Sequence, residues 1–135
     1  MAKIDGLAHI GLFITNIEVS KKFYTEVLEF ETIYECALDE PDGTSTKIAF
    51  IKNGDLTLEL VQVANPSKRA DGWVDHIALR VENIEGVRET LLSRGVKFET
   101  DEITFAPGVF PNGSKWILFR GPDNEHLEIT EVLKH

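Results

Sequence analysis

The sequence predicts an α+β chain made of two tandem β-α-β-β-β modules, and three observations carry this. Residues 9–18 read HIGLFITNIE and residues 76–85 read HIALRVENIE, identical at six of ten positions at an offset of 67 (76 − 9). The module ends repeat too: LTLELVQV at 56–63 answers EHLEITEV at 125–132, with Glu59 and Glu128 69 apart (128 − 59). In each copy a stretch of helical apolar period sits among runs of strand alternation, so the repeat is a duplicated supersecondary unit.

The elements follow in order. Residues 6–14 alternate as a strand. Thr15 and Glu18 have the spacing of a capping box, and Val19, Phe23 and Val27, flanked by Tyr24 and Leu28, form an apolar stripe that predicts a helix over 17–28. Residues 30–38 read as a strand, Pro41, Asp42 and Gly43 as a turn, and 46–52 and 56–63 as two strands joined at Asn53-Gly54, a hairpin signal. A polar stretch, 64–73, links the modules. The second copy runs strand 74–82, helix 84–94 with Gly95 as its C-cap, a strand near 96–100, a loop over 101–113, and strands 114–120 and 125–132. Loops of that length usually act or move. Phe105 and Phe110 are too apolar for an idle one: they cover a pocket or pack at its rim. Module one is thus 5–63 and module two 74–132, within a single domain spanning 1–135.

Composition sets the class. The 135 residues are 42% hydrophobic and 27% charged, which reads as a soluble globular protein. No apolar run nears the roughly 18 residues that span a bilayer, and the N-terminus lacks the pattern of a secretory signal. Cys36 is the sole cysteine, which rules out an internal disulfide and a thiolate-rich zinc site. A cytoplasmic location is expected. With a net charge of −9, nucleic acid and anionic membranes are repelled and are not expected as partners.

Four residues stand out. Each module has one His on its first strand and one Glu on its last: His9 with Glu59, 50 residues apart (59 − 9), and His76 with Glu128, 52 apart (128 − 76). Side chains alternate along a strand, so each projects from one face of its sheet. A pseudo-twofold relation between the copies would gather two imidazoles and two carboxylates on one point. That donor set suits a divalent cation, and four protein ligands leave open positions on an octahedral ion, as a catalytic site requires. A Glu at the centre of an apolar run is costly to bury unpaired, and it occurs here twice at equivalent places. His126 shares the strand face of Glu128 and reads as a solvated strand end. From strand parity Phe13, Thr57, Val61, Ala78 and Arg80 share the ligands' faces, with Trp116 and Phe119 as further lining candidates.

HIGL at 9–12, FYTEVLEFE at 23–31, LELV at 58–61, DHIAL at 75–79 and, most specifically, FRGPDNEHLEI at 119–129 resemble the vicinal oxygen chelate superfamily, and within it glyoxalase I. The resemblance covers roughly residues 5–132. It implies two βαβββ modules forming a half-open mixed β barrel, a homodimer, and one divalent metal ion (Ni, Zn, Co or Mn) held by His9, Glu59, His76 and Glu128. Glyoxalase I is similar in carrying His, Glu, His, Glu at all four positions, whereas extradiol dioxygenases and fosfomycin-resistance thiol transferases use three ligands. The implied activity is that of a lyase or isomerase acting on a small substrate with vicinal oxygens through a metal-stabilised enediolate. Glu128 is the implied base, Glu59 its partner, and Phe13, Thr57, Val61, Arg80, Trp116 and Phe119 the substrate-binding residues.

Glutathione-using members tend to have Arg where this chain has Phe13, and Asn where it has Val63. The identity of a thiol adduct, if the substrate is one, is therefore open. Arg80, at the position in the second copy equivalent to Phe13, is a candidate anion anchor. Other readings are a methylmalonyl-CoA epimerase-like enzyme, a thiol transferase or dioxygenase, and a non-catalytic, resistance-type binding protein.

Overall fold

The computed structural model describes residues 2–67 and 69–134. The chain divides into two units, Met1–Lys68 and Arg69–His135. Each holds one four-stranded mixed sheet and one helix with the predicted order.

In the first unit the elements are β1 (Ile10–Phe13), α1 (Ile17–Lys22), β2 (Glu31–Asp39), β3 (Ser45–Asn53) and β4 (Leu56–Gln62), with sheet order β1-β4-β3-β2. β1 runs parallel to β4, and the other pairs are antiparallel. β1 is shorter than the alternating run 6–14, because it pairs only with residues 58–61 of β4. The helix cap lies one residue beyond the expected capping box: Asn16 Oδ1 accepts the N–H groups of Glu18 and Val19 at 3.1 and 3.2 Å, satisfying donors that a helix start leaves orphaned. The predicted helix 17–28 has the right extent but changes type, continuing after Lys22 as a π-helical turn, Phe23–Val27. That turn seats Tyr24 in full burial, its ring edge-on to Phe30 at 5.5 Å.

The second unit contains β5 (Ile77–Arg80), α2 (Ile84–Ser93), β6 (Thr104–Ala106), β7 (Ser114–Arg120) and β8 (His126–Val132), in the order β5-β8-β7-β6. Asn83 caps α2 by accepting the N–H of Gly86 at 3.1 Å. Gly95 follows the helix in the left-handed region (φ 89°), as its place after the last turn predicts. The strand expected at 96–100 is absent: one bridge, Phe98 to Phe119, stands there. The edge strand instead comes from inside the expected loop, as the three residues of β6 paired with β7. Phe105 and Phe110 are exposed.

A shared device ties helix to sheet in both units. Gln62 Oε1 on β4 accepts the N–H of Ile17 at 2.7 Å, and Glu131 Oε1 on β8 accepts that of Ile84 at 3.0 Å. Each sheet therefore has a core face and an opposite face. Leu58, Leu60, Ala49 and Ile51 are buried in the first unit, where α1 lies against β3 and β4. Leu127, Ile129, Ile117 and Phe119 are buried in the second, where α2 lies against β8. Alternation then places Glu59 and Glu128 on the opposite faces. Among the described residues no helix is long and apolar enough to cross a membrane.

Candidate functional site

In the first unit His9 stands just before β1, and its Nε2 lies 3.5 Å from Glu59 Oε1. β1 brings them together because Gly11 pairs with Glu59 across the parallel ladder. A Cβ on Gly11 would sit 3.4 Å from that carboxylate oxygen. Phe50, directly opposite Glu59 on β3, presents its ring edge-on to His9 at 5.3 Å, and Tyr34 lies next along the same row. Phe13 and Val61 are paired one step along, with Phe13 70% exposed. Thr57 shares the face by parity.

The second unit repeats the pair in a more enclosed setting. His76 Nε2 lies 3.3 Å from Glu128 Oε2, and the Glu128 side chain is 12% exposed against 23% for Glu59. Burial pushes the Glu128 carboxyl above the usual range, against the opposing pull of His76 and His126. His76 Nδ1 is hydrogen-bonded to Asp75 Oδ2 at 2.9 Å. That bond holds the Asp75 carboxyl below its ordinary range. Glu128 pairs with Ala78 and Leu118, and Arg80 and Trp116 both pair with Thr130, so Arg80 and Trp116 share its face.

Two expectations are corrected. Phe119 is not a lining residue: it pairs with Leu127, is fully buried on the core face and packs edge-on to Phe98 at 5.5 Å. His126 is not a solvated strand end. Its side chain is 11% exposed, with Nδ1 3.3 Å from Asp75 Oδ2 and Nε2 3.0 Å from Glu99 Oε1. Glu99 is held in turn by Arg120 Nε at 3.0 Å, and Arg120 grips both oxygens of Asp71 at 2.7 and 3.0 Å. Asp75, Glu99 and Phe50 are neighbours of the His–Glu pairs that sequence reasoning missed. Only Asp75 left a signal, as the carboxylate beside a candidate ligand in Asp75-His76.

The most specific sequence segment owes its pattern to a turn. In the loop before β8, Glu125 is 2% exposed and its Oε1 accepts the N–H of Asp123 at 2.6 Å. Its carboxylate lies where a Cβ on Gly121 would be, 2.6 Å away. Gly121 and Glu125 thus lock the turn that aims β8, and with it Glu128.

A family model described as Glyoxalase/Bleomycin resistance protein/Dioxygenase superfamily matches residues 6–129. The chain belongs to this superfamily. The uncharacterized protein YwbC of Bacillus subtilis (strain 168) is 31% identical over 123 residues, covering 89% of this chain and 92% of YwbC. A 2-epi-5-epi-valiolone epimerase of Actinomyces sp is 27% identical, covering 92% of this chain and 78% of the epimerase. The fosfomycin resistance protein FosX from Listeria monocytogenes, in a crystal structure with Mn(II) and sulfate ion, superposes with a TM-score of 0.68 over 97% of this chain and 95% of FosX. At 19% identity it shows the shared fold.

Superfamily membership implies a divalent metal, and the donor geometry is compatible with one. Two ligand atoms about 2.1 Å from one ion lie about 3.0 Å apart at the right angle of an octahedral site and about 3.4 Å apart at a tetrahedral angle; the pairs stand at 3.3 and 3.5 Å without an ion between them. Within neither unit, among the described residues, does a group of three or more His, Cys, Asp or Glu side chains gather as a metal site. Each module supplies a pair.

Proposed function

We propose that this superfamily member is a metal-dependent lyase or isomerase of glyoxalase I type, acting on a small substrate with vicinal oxygens. The observation that supports the reading best is the duplicated pair, a His Nε2 facing a Glu oxygen at chelating distance in both modules. One divalent ion (Ni, Zn, Co or Mn) would be held by His9, Glu59, His76 and Glu128, and when bound it supplies Lewis acidity to the two substrate oxygens.

The chain's own residues supply the proton chemistry. Glu128 takes the proton from the substrate carbon: its carboxyl is the more enclosed of the two, and burial raises its proton affinity above the usual carboxylate range. The proton held on the Glu128 carboxyl is then returned to the neighbouring carbon, with Glu59 as the partner or alternate base. Phe13, Thr57, Val61 and Trp116 offer a largely apolar lining that orients the substrate, and Arg80 anchors an anionic group. In this reading the enzyme works as a homodimer on a small molecule, a thiol adduct being one form.

The test is metal analysis of protein purified without a His-tag, followed by an assay with methylglyoxal and a thiol. The expected result is one divalent ion per chain, with turnover lost on chelation and restored by one of the four metals. A protein that holds none of these metals and gains no activity from any of them overturns the reading.

A second reading is favoured by the named epimerase relative. There the two carboxylates serve opposite faces of one carbon, and solvent deuterium enters recovered substrate, an acyl-CoA for example, with no rearrangement to a neighbouring carbon.

A further inference from the structure

We propose that Asp75 is a positioning residue for the second half-site: by accepting the Nδ1–H of His76 it fixes the tautomer whose Nε2 lone pair faces Glu128, so that this pair is set before any cation arrives. The inference rests on the metal-site reading above and deepens it.

The argument begins with proton counting. An ionised carboxylate only accepts hydrogen bonds, and a neutral imidazole carries one N–H. The 2.9 Å bond from His76 Nδ1 to Asp75 Oδ2 is shorter than the 3.3 Å contact of Nε2 with Glu128, so in a neutral ring we assign the N–H to Nδ1, which leaves Nε2 as an acceptor. Nε2 in turn faces a carboxylate oxygen of Glu128 at 3.3 Å. Two acceptors at that distance repel unless a proton or a cation stands between them; the metal-free pair can share a proton, and a cation would take its place. Metal-ligating histidines commonly donate their other ring N–H to a carboxylate, and such outer partners contribute measurably to metal affinity.

Asp75 also has charged neighbours. The same Oδ2 lies 3.3 Å from Nδ1 of His126, whose Nε2 is 3.0 Å from Glu99, which Arg120 grips. Among the described residues the first module shows no equivalent brace. At the offset of 67 the position answering Asp75 is Ala8 (75 − 67), which has no acceptor side chain, and the His9 ring meets the edge of Phe50 instead. The two copies therefore offer a cation a pre-set pair and an unbraced one. The asymmetry lies one residue before each histidine.

Two measurements on the full chain test this. Long-range proton–nitrogen spectra of the metal-free protein read the His76 tautomer directly, and calorimetric titration with Co(II) reads affinity; neither depends on turnover. Wild type is expected to show His76 as the Nδ1–H form. Asp75→Ala should lose that preference and bind Co(II) about 10–100-fold more weakly, while Asp75→Asn, whose carbonyl can still accept, keeps the tautomer and recovers most of the affinity. His76→Ala marks the loss of the whole ligand. Asp75 is exposed, so the variants are expected to keep the wild-type circular dichroism spectrum. If Asp75→Ala keeps the tautomer and binds Co(II) within about twofold of wild type, the positioning role is overturned and the metal-site reading stands. A wild-type protein that binds none of Co(II), Ni(II), Zn(II) and Mn(II) in the same titration overturns both.

Discussion

The two modules descend from one pattern and differ in how tightly they enclose it. In the first, the His9–Glu59 pair stands on a sheet whose edge strand β2 is nine residues long, beside the exposed Phe13 and the rings of Phe50 and Tyr34. In the second, the His76–Glu128 pair is joined to Asp75, His126, Glu99 and Arg120, and the edge strand β6 has shrunk to three residues. The two copies thus keep the His–Glu pair and differ in its surroundings. In the first the pair stands beside apolar, open surface. In the second it stands among polar and charged side chains, and burial raises the proton affinity of Glu128. In the proposed function the first would touch substrate and the second would hold the base.

The largest expected effect tests that division of labour directly. Glu128→Gln should lower kcat by about 10²–10⁴-fold while the protein folds, and Glu59→Gln should lower it less, as measured with metal content checked in the same samples. Equal losses would erase the functional difference between the modules. The same substitution has a stability signature. The Glu128 carboxyl is raised in the fold by burial, so the folded metal-free protein holds that proton more tightly than the unfolded chain does. Stability from this group is present below its unfolded pKa and is lost as pH rises through the folded one. Metal-free Glu128→Gln should therefore melt above metal-free wild type at pH 7, with the two curves converging near about pH 4, around the carboxyl's unperturbed pKa.

A smaller effect is expected at the turn that aims β8. Gly121→Ala places a methyl 2.6 Å from the Glu125 carboxylate, which is buried and bonded to the Asp123 N–H. A loss of about 1–3 kcal/mol in denaturant melts is expected. The smallest belongs to Gly11→Ala, which gives the first module the residue that Ala78 supplies in the second (78 − 67 = 11). The added methyl meets Glu59 at 3.4 Å, and stability should stay within about 0.5 kcal/mol of wild type.

The duplicated order of strands and helices was legible because apolar period and repeat pointed the same way, and strand 114–120 came out with its observed ends. What the sequence hid was set by partners far along the chain. Asn16 rather than Thr15 caps α1 because the ladder with β4 decides where β1 stops. Phe119 reads as a lining residue until the β7–β8 register pairs it with Leu127 and turns it into the core. Residues 96–100 have strand character but only Phe98 finds a bridge, while β6 wins the edge from within a loop. In the candidate site, the four candidate ligands stood out by repetition. Asp75 and Glu99 did not, since nothing in the first module repeats Asp75 and Glu99 reaches His126 only through the fold.

The strands that carry the two candidate carboxylates also hold the helices. Gln62 and Glu131 lie three residues beyond Glu59 and Glu128 and bind the first free N–H of α1 and α2. Ligand strand and helix are therefore one mechanical piece in each unit. A push on the outer surface of either helix reaches the carboxylate strand through a single side chain, so the aim of Glu59 and Glu128 is hostage to residues that stand away from the His–Glu pairs.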